Sequence, residues 1–135
     1  MTPEELRRRA VALGRRAVAC KRWRWMPGMR IRGIDKLCVG VTANKGCPMY
    51  RDGYGNYDFV SHAEPDLTDP ATLGCLLALV REAWSDPGVS VWHDRRVGLW
   101  SWMADGCLHS VHRPSDEDGY DTEAEALVAA LEAAQ

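Results

Sequence analysis

The residues with the most chemical content fall in two places. Lys21-Arg22-Trp23-Arg24-Trp25 interleaves cations with indole rings. Arg supplies charge and forked donors while Trp supplies a stacking plane, so the segment suits an anionic partner. Cys107, His109 and His112 form the second group, with nitrogen and sulfur donors close in sequence. Zinc takes four such ligands in tetrahedral array, and this spacing lacks a matching second half. Cys107 and His109 are also a poor nucleophilic pair, because alternate strand residues share a face but do not normally hydrogen-bond along it. Both histidines read as ordinary strand-end residues, and no metal is expected.

Other chemistry is thinner still. Asp116, Glu117 and Asp118 sit together in a polar stretch, where adjacent acids are usually solvated. Gly53-Tyr54-Gly55 precedes no helix carrying the Lys and Ser of a phosphate loop. Five cysteines are scattered, odd in number and without a CxxC pair, so neither a zinc ribbon nor a redox site is indicated. They are expected as free thiols in a reducing cytosol. No catalytic residue and no cofactor is assigned, and the expectation is a protein that is not an enzyme.

Charge is distributed unevenly along the chain. Over the first 36 residues Lys and Arg number 11 against three acids, a net of +8; from Leu37 onward they number 6 against 16, a net of −10. The overall charge of −2 hides this polarity. The length of 135 residues suits one domain with a real core. No stretch approaches ~18 consecutive apolar residues, so no membrane span is expected. The Arg-rich start carries no apolar signal region, which predicts a cytoplasmic protein.

Three helices must position these groups. The first opens with Thr2 as N-cap and Pro3 at the first helical position, with Glu4 and Glu5 complementing the helix dipole. Leu6, Ala10, Leu13 and Ala17 form its buried stripe, while Arg8 and Arg15 point away from it. Those arginines are either a solvated face or a basic rail running into Lys21–Arg24. The second helix is capped by Asp69 ahead of Pro70, and Leu73, Leu76, Leu77, Val80, Ala83 and Trp84 give it a broad apolar stripe. The third starts at Thr122 with Glu125 as capping-box partner and buries Leu127, Val128 and Leu131.

Strands fill the intervals. Met26-Pro27-Gly28-Met29 reads as a type II turn, with extended segments expected over Met29–Arg32 and Leu37–Val41. Val89–His93 and Val97–Met103 read as an antiparallel hairpin around Asp94-Arg95-Arg96, its register left open because the loop length decides which face Trp92 joins. Trp23 and Trp25 alternate with Arg22 and Arg24, so in a strand the indoles would face inward and the arginines outward. A surface combining both would need a twist, a bulge or a helix end. Thr42–Asp66 is the least regular stretch, a Gly- and Tyr-rich loop with Tyr50, Tyr54 and Tyr57, and long loops in small domains are usually functional or mobile.

Arg22-Trp23-Arg24-Trp25-Met26-Pro27-Gly28-Met29, Leu67–Trp84 (LTDPATLGCLLALVREAW) and Thr122–Ala134 (TEAEALVAALEAA) together resemble a group of small proteins encoded in bacteriophage and prophage genomes. The resemblance covers under half of the chain and carries no assigned activity or functional residue. It implies a context, that of small phage accessory proteins that bind and disable something in the host.

The sequence therefore predicts a single α+β domain over residues 1–135, with three helices packed on an antiparallel sheet of four to five strands. The expected function is capture of a host component in the host cytoplasm, most plausibly to counter a defence. The partner would be a host protein or a small anionic nucleotide ligand. The binding candidates are Arg8, Arg15, Arg22, Trp23, Arg24, Trp25, Tyr50 and Tyr54. A nucleic-acid-binding module using the basic first helix and the KRWRW segment is the alternative, opposed by an isoelectric point near 6.1. A small enzyme of unknown reaction is the third reading.

Overall fold

Thr2 opens the first helix, α1 (Pro3–Ala19), with a reciprocal cap: its hydroxyl accepts the Glu5 N–H at 3.2 Å, and the Glu5 carboxylate accepts the Thr2 N–H at 3.0 Å. The structure, a computed structural model, describes residues 2–96, 98–104 and 119–134. Cys107, His109, His112, Asp116, Glu117 and Asp118 lie outside the described residues, as does Val97. The apolar stripe of α1 is buried only in its second half. Leu13 and Ala17 are in the core, Ala10 is half-buried, and Leu6 remains 51% exposed. Gly14 lies under Pro65, whose carbonyl oxygen would be 3.3 Å from any added Cβ.

After α1 the chain turns at Met26–Met29 as expected. The Met29 N–H donates to the Met26 carbonyl at 3.1 Å, and Gly28 has φ +97°, a conformation that suits glycine and defines the third position of a type II turn. The strands that follow are short. β1 (Arg30–Ile31) pairs antiparallel with β2 (Lys36–Leu37), Arg30 opposite Leu37. β3 (Gly40–Val41), β4 (Pro48–Arg51) and β5 (Tyr57–Phe59) form a three-stranded antiparallel sheet in that order.

The stretch Thr42–Asp66, expected as a loop, thus contains a β-hairpin, β4 and β5, between its turns. Its hairpin is closed by Asp52, whose carboxylate accepts the N–H groups of Tyr54 (2.8 Å) and Asn56 (2.9 Å) while its own N–H donates to the Asn56 carbonyl (2.8 Å). The strands are only two to four residues long and both faces carry polar groups. That gives little period-two signal for a sequence pattern to register.

α2 (Pro70–Ala83) starts where Asp69 accepts the Thr72 N–H at 3.0 Å. Its buried residues are Thr72, Leu76, Leu79 and Val80; Leu77 is only half-buried, so the stripe is rotated toward Leu79 from the expected setting. β6 (Ser90–Asp94) and β7 (Leu99–Met103) form the expected hairpin. Val91 lies opposite Trp102, and His93 opposite Trp100. Trp92 pairs with Ser101 and so occupies the other face from both indoles of β7.

α3 (Glu123–Ala133) packs on this hairpin and on both other helices, burying Leu127, Val128 and Leu131 completely. Trp102 is 1% exposed and its ring lies 5.5 Å from that of Trp84. The Trp84 indole N–H donates to the Ala130 carbonyl at 2.9 Å, locking α2 to α3.

The α+β class and the element order agree with the sequence reading. The strand layout differs: seven strands lie in three small antiparallel sheets, not in one sheet of four to five. Turns containing Gly33, Gly46 and Gly55, all with positive φ, join successive strands within the first two sheets and keep those strands short.

Candidate anion-binding cleft

α1 ends at Cys20, whose extended backbone (φ −67°, ψ 138°) throws the chain off the helix axis. The Trp23 N–H donates back to the Cys20 carbonyl at 3.1 Å and closes a tight turn over Lys21 and Arg22. Trp25 then enters the core at 7% exposure, Trp23 is half-buried against it, and the two rings meet edge to face at 5.5 Å and 84°. Arg22 and Arg24 are exposed. Inward indoles and outward arginines follow the expected alternation, and the helix end supplies the condition for both types to reach one surface.

That surface is a cleft of about 500 Å³ between the KRWRW segment and the three-stranded sheet. Trp23 and Trp25 line it with Val18, Val41, Pro48 and Val60 as its apolar part. Arg24, Lys45 and His62 line it as well, from three separate stretches of sequence. Among the described residues, no Asp or Glu lines the cleft. The β3–β4 turn that presents Lys45 is held by Thr42. Its hydroxyl accepts the Cys47 N–H at 3.0 Å, and its carbonyl accepts the Gly46 N–H at 3.1 Å. His62 has φ +55°, a left-handed conformation that a non-glycine residue adopts at a cost, and such strain concentrates at functional positions. The Trp23 Nε1–H is buried without a hydrogen-bond partner among the described residues, another costly feature in the wall of the same cleft.

Arg24 is anchored from outside. Its Nη1 lies 2.5 Å from Glu82 Oε1. The hydrogen bond from Arg24, aided by the charges of Arg24 and Arg22, holds the Glu82 carboxyl below the usual carboxylate range. The same contact raises the Arg24 guanidinium above its ordinary value.

The other candidates lie elsewhere. Arg15 is paired to Glu64 at 2.7 Å, and Glu64 also accepts from Arg32 at 3.0 Å. Arg8 is exposed on the outer face of α1. Tyr50 is half-buried, its hydroxyl donating to Asp58 at 3.3 Å; burial and then the Asp58 charge push its phenol up. Tyr54 stands at the hairpin tip at 93% exposure, and the Arg51 guanidinium covers the Tyr57 ring at 5.7 Å. The cleft thus unites Trp23, Arg24 and Trp25 and leaves out Arg8, Arg15, Arg22, Tyr50 and Tyr54.

Lys45 and His62 are the lining residues that sequence reasoning missed. Each is an isolated cation or imidazole in a stretch without periodicity, and only the pairing of β3, β4 and β5 carries them to the KRWRW segment. Among the described residues, no group of three or more His, Cys, Asp and Glu side chains could hold a metal ion. No helix among them is long and apolar enough to cross a membrane. The chain matches no protein-family model, no curated protein and no solved structure.

Proposed function

We propose that this chain is a binding protein that works without catalysis, capturing an anionic host component in the cleft beneath the KRWRW segment. One observation carries the reading: Arg24, Lys45 and His62 converge on an indole-walled cleft that no carboxylate of the described residues lines. A cleft of mixed apolar and cationic lining offers an anion both charge and shelter from water, which strengthens each contact. The resemblance to phage accessory proteins supplies the setting, sequestration of a host component in the host cytoplasm to blunt a defence.

The test is direct recovery. Purified protein is incubated with the small-molecule fraction of a bacterial extract, washed and heat-denatured, and the released compounds are identified by mass spectrometry. Wild type should release an anionic compound, and the Arg24→Gln, Lys45→Gln double variant, its fold confirmed by circular dichroism, should release at least tenfold less, a loss of ~1.4 kcal/mol or more. Equal release from both proteins, or no anionic compound from wild type, would overturn the reading.

A further inference from the structure

We infer that the ligand class of the cleft is a free nucleoside phosphate, its ring against the Trp23 and Trp25 wall and its phosphate at Lys45, His62 and Arg24. This rests on the reading of the cleft as the binding site and makes it specific. Two halves of the lining ask for two chemistries. An inorganic anion would gain from the cations but nothing from the indoles, whereas an uncharged ring would gain from the indoles and leave three cationic or titratable groups unused. A compound with a flat π-face and a phosphate satisfies both, through stacking on Trp and charge-assisted hydrogen bonds from Lys, Arg and His. The volume of about 500 Å³ falls within the ~300–1,000 Å³ usual for small-molecule sites.

Arg24 adds a mechanism of exchange. It faces Glu82, and both side chains are more than half exposed, at 53% and 58%. An exposed pair of this kind holds its partners weakly. An arriving phosphate offers the guanidinium a second anion, in a less solvated place and with room for two parallel N–H···O bonds. Glu82 therefore keeps Arg24 beside the cleft and competes with the ligand for it. Removing the Glu82 charge should tighten binding, an outcome that a purely structural ion pair would not produce.

Isothermal titration with four probes tests this: adenosine monophosphate, adenosine, inorganic phosphate, and a 5′-phosphorylated single strand of about eight nucleotides. The expected order places the mononucleotide at least about tenfold tighter than adenosine or phosphate alone. Lys45→Glu, an exposed position, should weaken the mononucleotide by about tenfold and leave adenosine unchanged. Trp23→Phe should weaken mononucleotide and adenosine together, and Glu82→Gln should tighten the mononucleotide severalfold. Circular dichroism of each variant confirms the fold. Phosphate binding as tightly as the mononucleotide would overturn the nucleotide assignment while leaving an anion site in place. Tight binding of the strand with none of the mononucleotide would move the ligand to nucleic-acid ends. Failure of all four probes overturns the nucleotide assignment, and recovery of another anion from the extract would show that the broader reading survives it.

Discussion

Arg9 Nη2 lies 2.6 Å from Glu125 Oε1, across 116 positions of sequence, and 2.8 Å from Asp121 Oδ2. The pair ties α1 to the start of α3 and gives the charge polarity of the chain a structural cause. Arg16 reaches Glu132 farther along the same two helices, Arg15 and Arg32 share Glu64, Arg24 faces Glu82, and Arg30 contacts Asp35 and Asp69. At least six of the eleven cations before Leu37 are thus paired among the described residues, and apart from Asp35 the partners of these six come from the acidic remainder. Segregation in sequence becomes interleaving in space.

Charge reversal at this contact should be legible in stability. Arg9→Glu places a third carboxylate beside Asp121 and Glu125 and should lower the thermal midpoint. Adding Glu125→Arg should restore part of the loss. The wild-type midpoint should also fall between ~0.1 and ~1 M salt, where the screening length shrinks from about 10 to about 3 Å. A double variant no more stable than Arg9→Glu alone would show that the two side chains do not interact.

Thr72 is the one polar side chain in the described core, fully buried in the first turn of α2. Its hydroxyl donates to Asp69 at 2.9 Å and accepts the Arg30 N–H at 2.8 Å, joining the helix cap to β1. Thr72→Val keeps the shape but leaves the Arg30 N–H without its acceptor. Urea unfolding should show a loss of about 1–3 kcal/mol. Thr72→Ser keeps both hydrogen bonds and loses a methyl group, so it should cost about 0.8 kcal/mol, less than the valine variant.

Glu64 gives a pH dependence. Burial pushes its carboxyl up, but hydrogen bonds from Arg15 and Arg32, with their charges, outweigh burial and hold it below the usual carboxylate range. A depressed folded value means that the unfolded chain binds the proton first as pH falls. The stabilisation is fully present above the ordinary carboxylate value of about 4.3 and disappears as pH drops through the lower folded value. Glu64→Gln should therefore be less stable than wild type at pH 7 and flatter in its acid limb. The two stability curves should converge once pH falls below the lowered folded value, measured by urea midpoints across the range.

The legible parts of the fold were those with strong local rules. Thr2, Asp69 and Thr122 cap their helices as their residue types and neighbours imply, and Gly28 takes the positive φ that its turn requires. The setting of α2 is less legible, because Leu73, Leu76, Leu77, Leu79 and Val80 make an apolar arc wide enough to be turned either way, and tertiary packing buries Leu79 in place of Leu77. The three-stranded sheet escaped notice because strands of two to four residues carry almost no periodicity. Of the cleft, the Trp–Arg half was visible as a sequence pattern. Lys45 and His62 were not, since their proximity depends on strand pairing and on turns that no local rule specifies.

The same ion pairs decide how the chain should behave toward duplex DNA. Each phosphate neutralised by a cation releases condensed counterions, so the slope of log affinity against log salt is about −0.9 per contact. Were all eleven N-terminal cations engaged, the slope would approach about −10. Six are instead committed within the molecule, and breaking those pairs would set carboxylates such as Glu64 and Glu125 against the phosphates. Arg7 and Arg8, exposed on the outer face of α1, make no ion pair among the described residues, and Arg22 is exposed beyond the helix end. With Lys21 and Lys36 these make at most five such contacts, a slope no steeper than about −4.5 and weak binding without sequence preference. Fluorescence anisotropy of a labelled duplex of about 20 base pairs across a salt series measures the slope. A value near −10, abolished by Arg7→Glu with Arg8→Glu, would make α1 a nucleic-acid-binding helix and the ion pairs secondary. A shallow slope would show that the unpaired cations of α1 do not make it a nucleic-acid-binding helix.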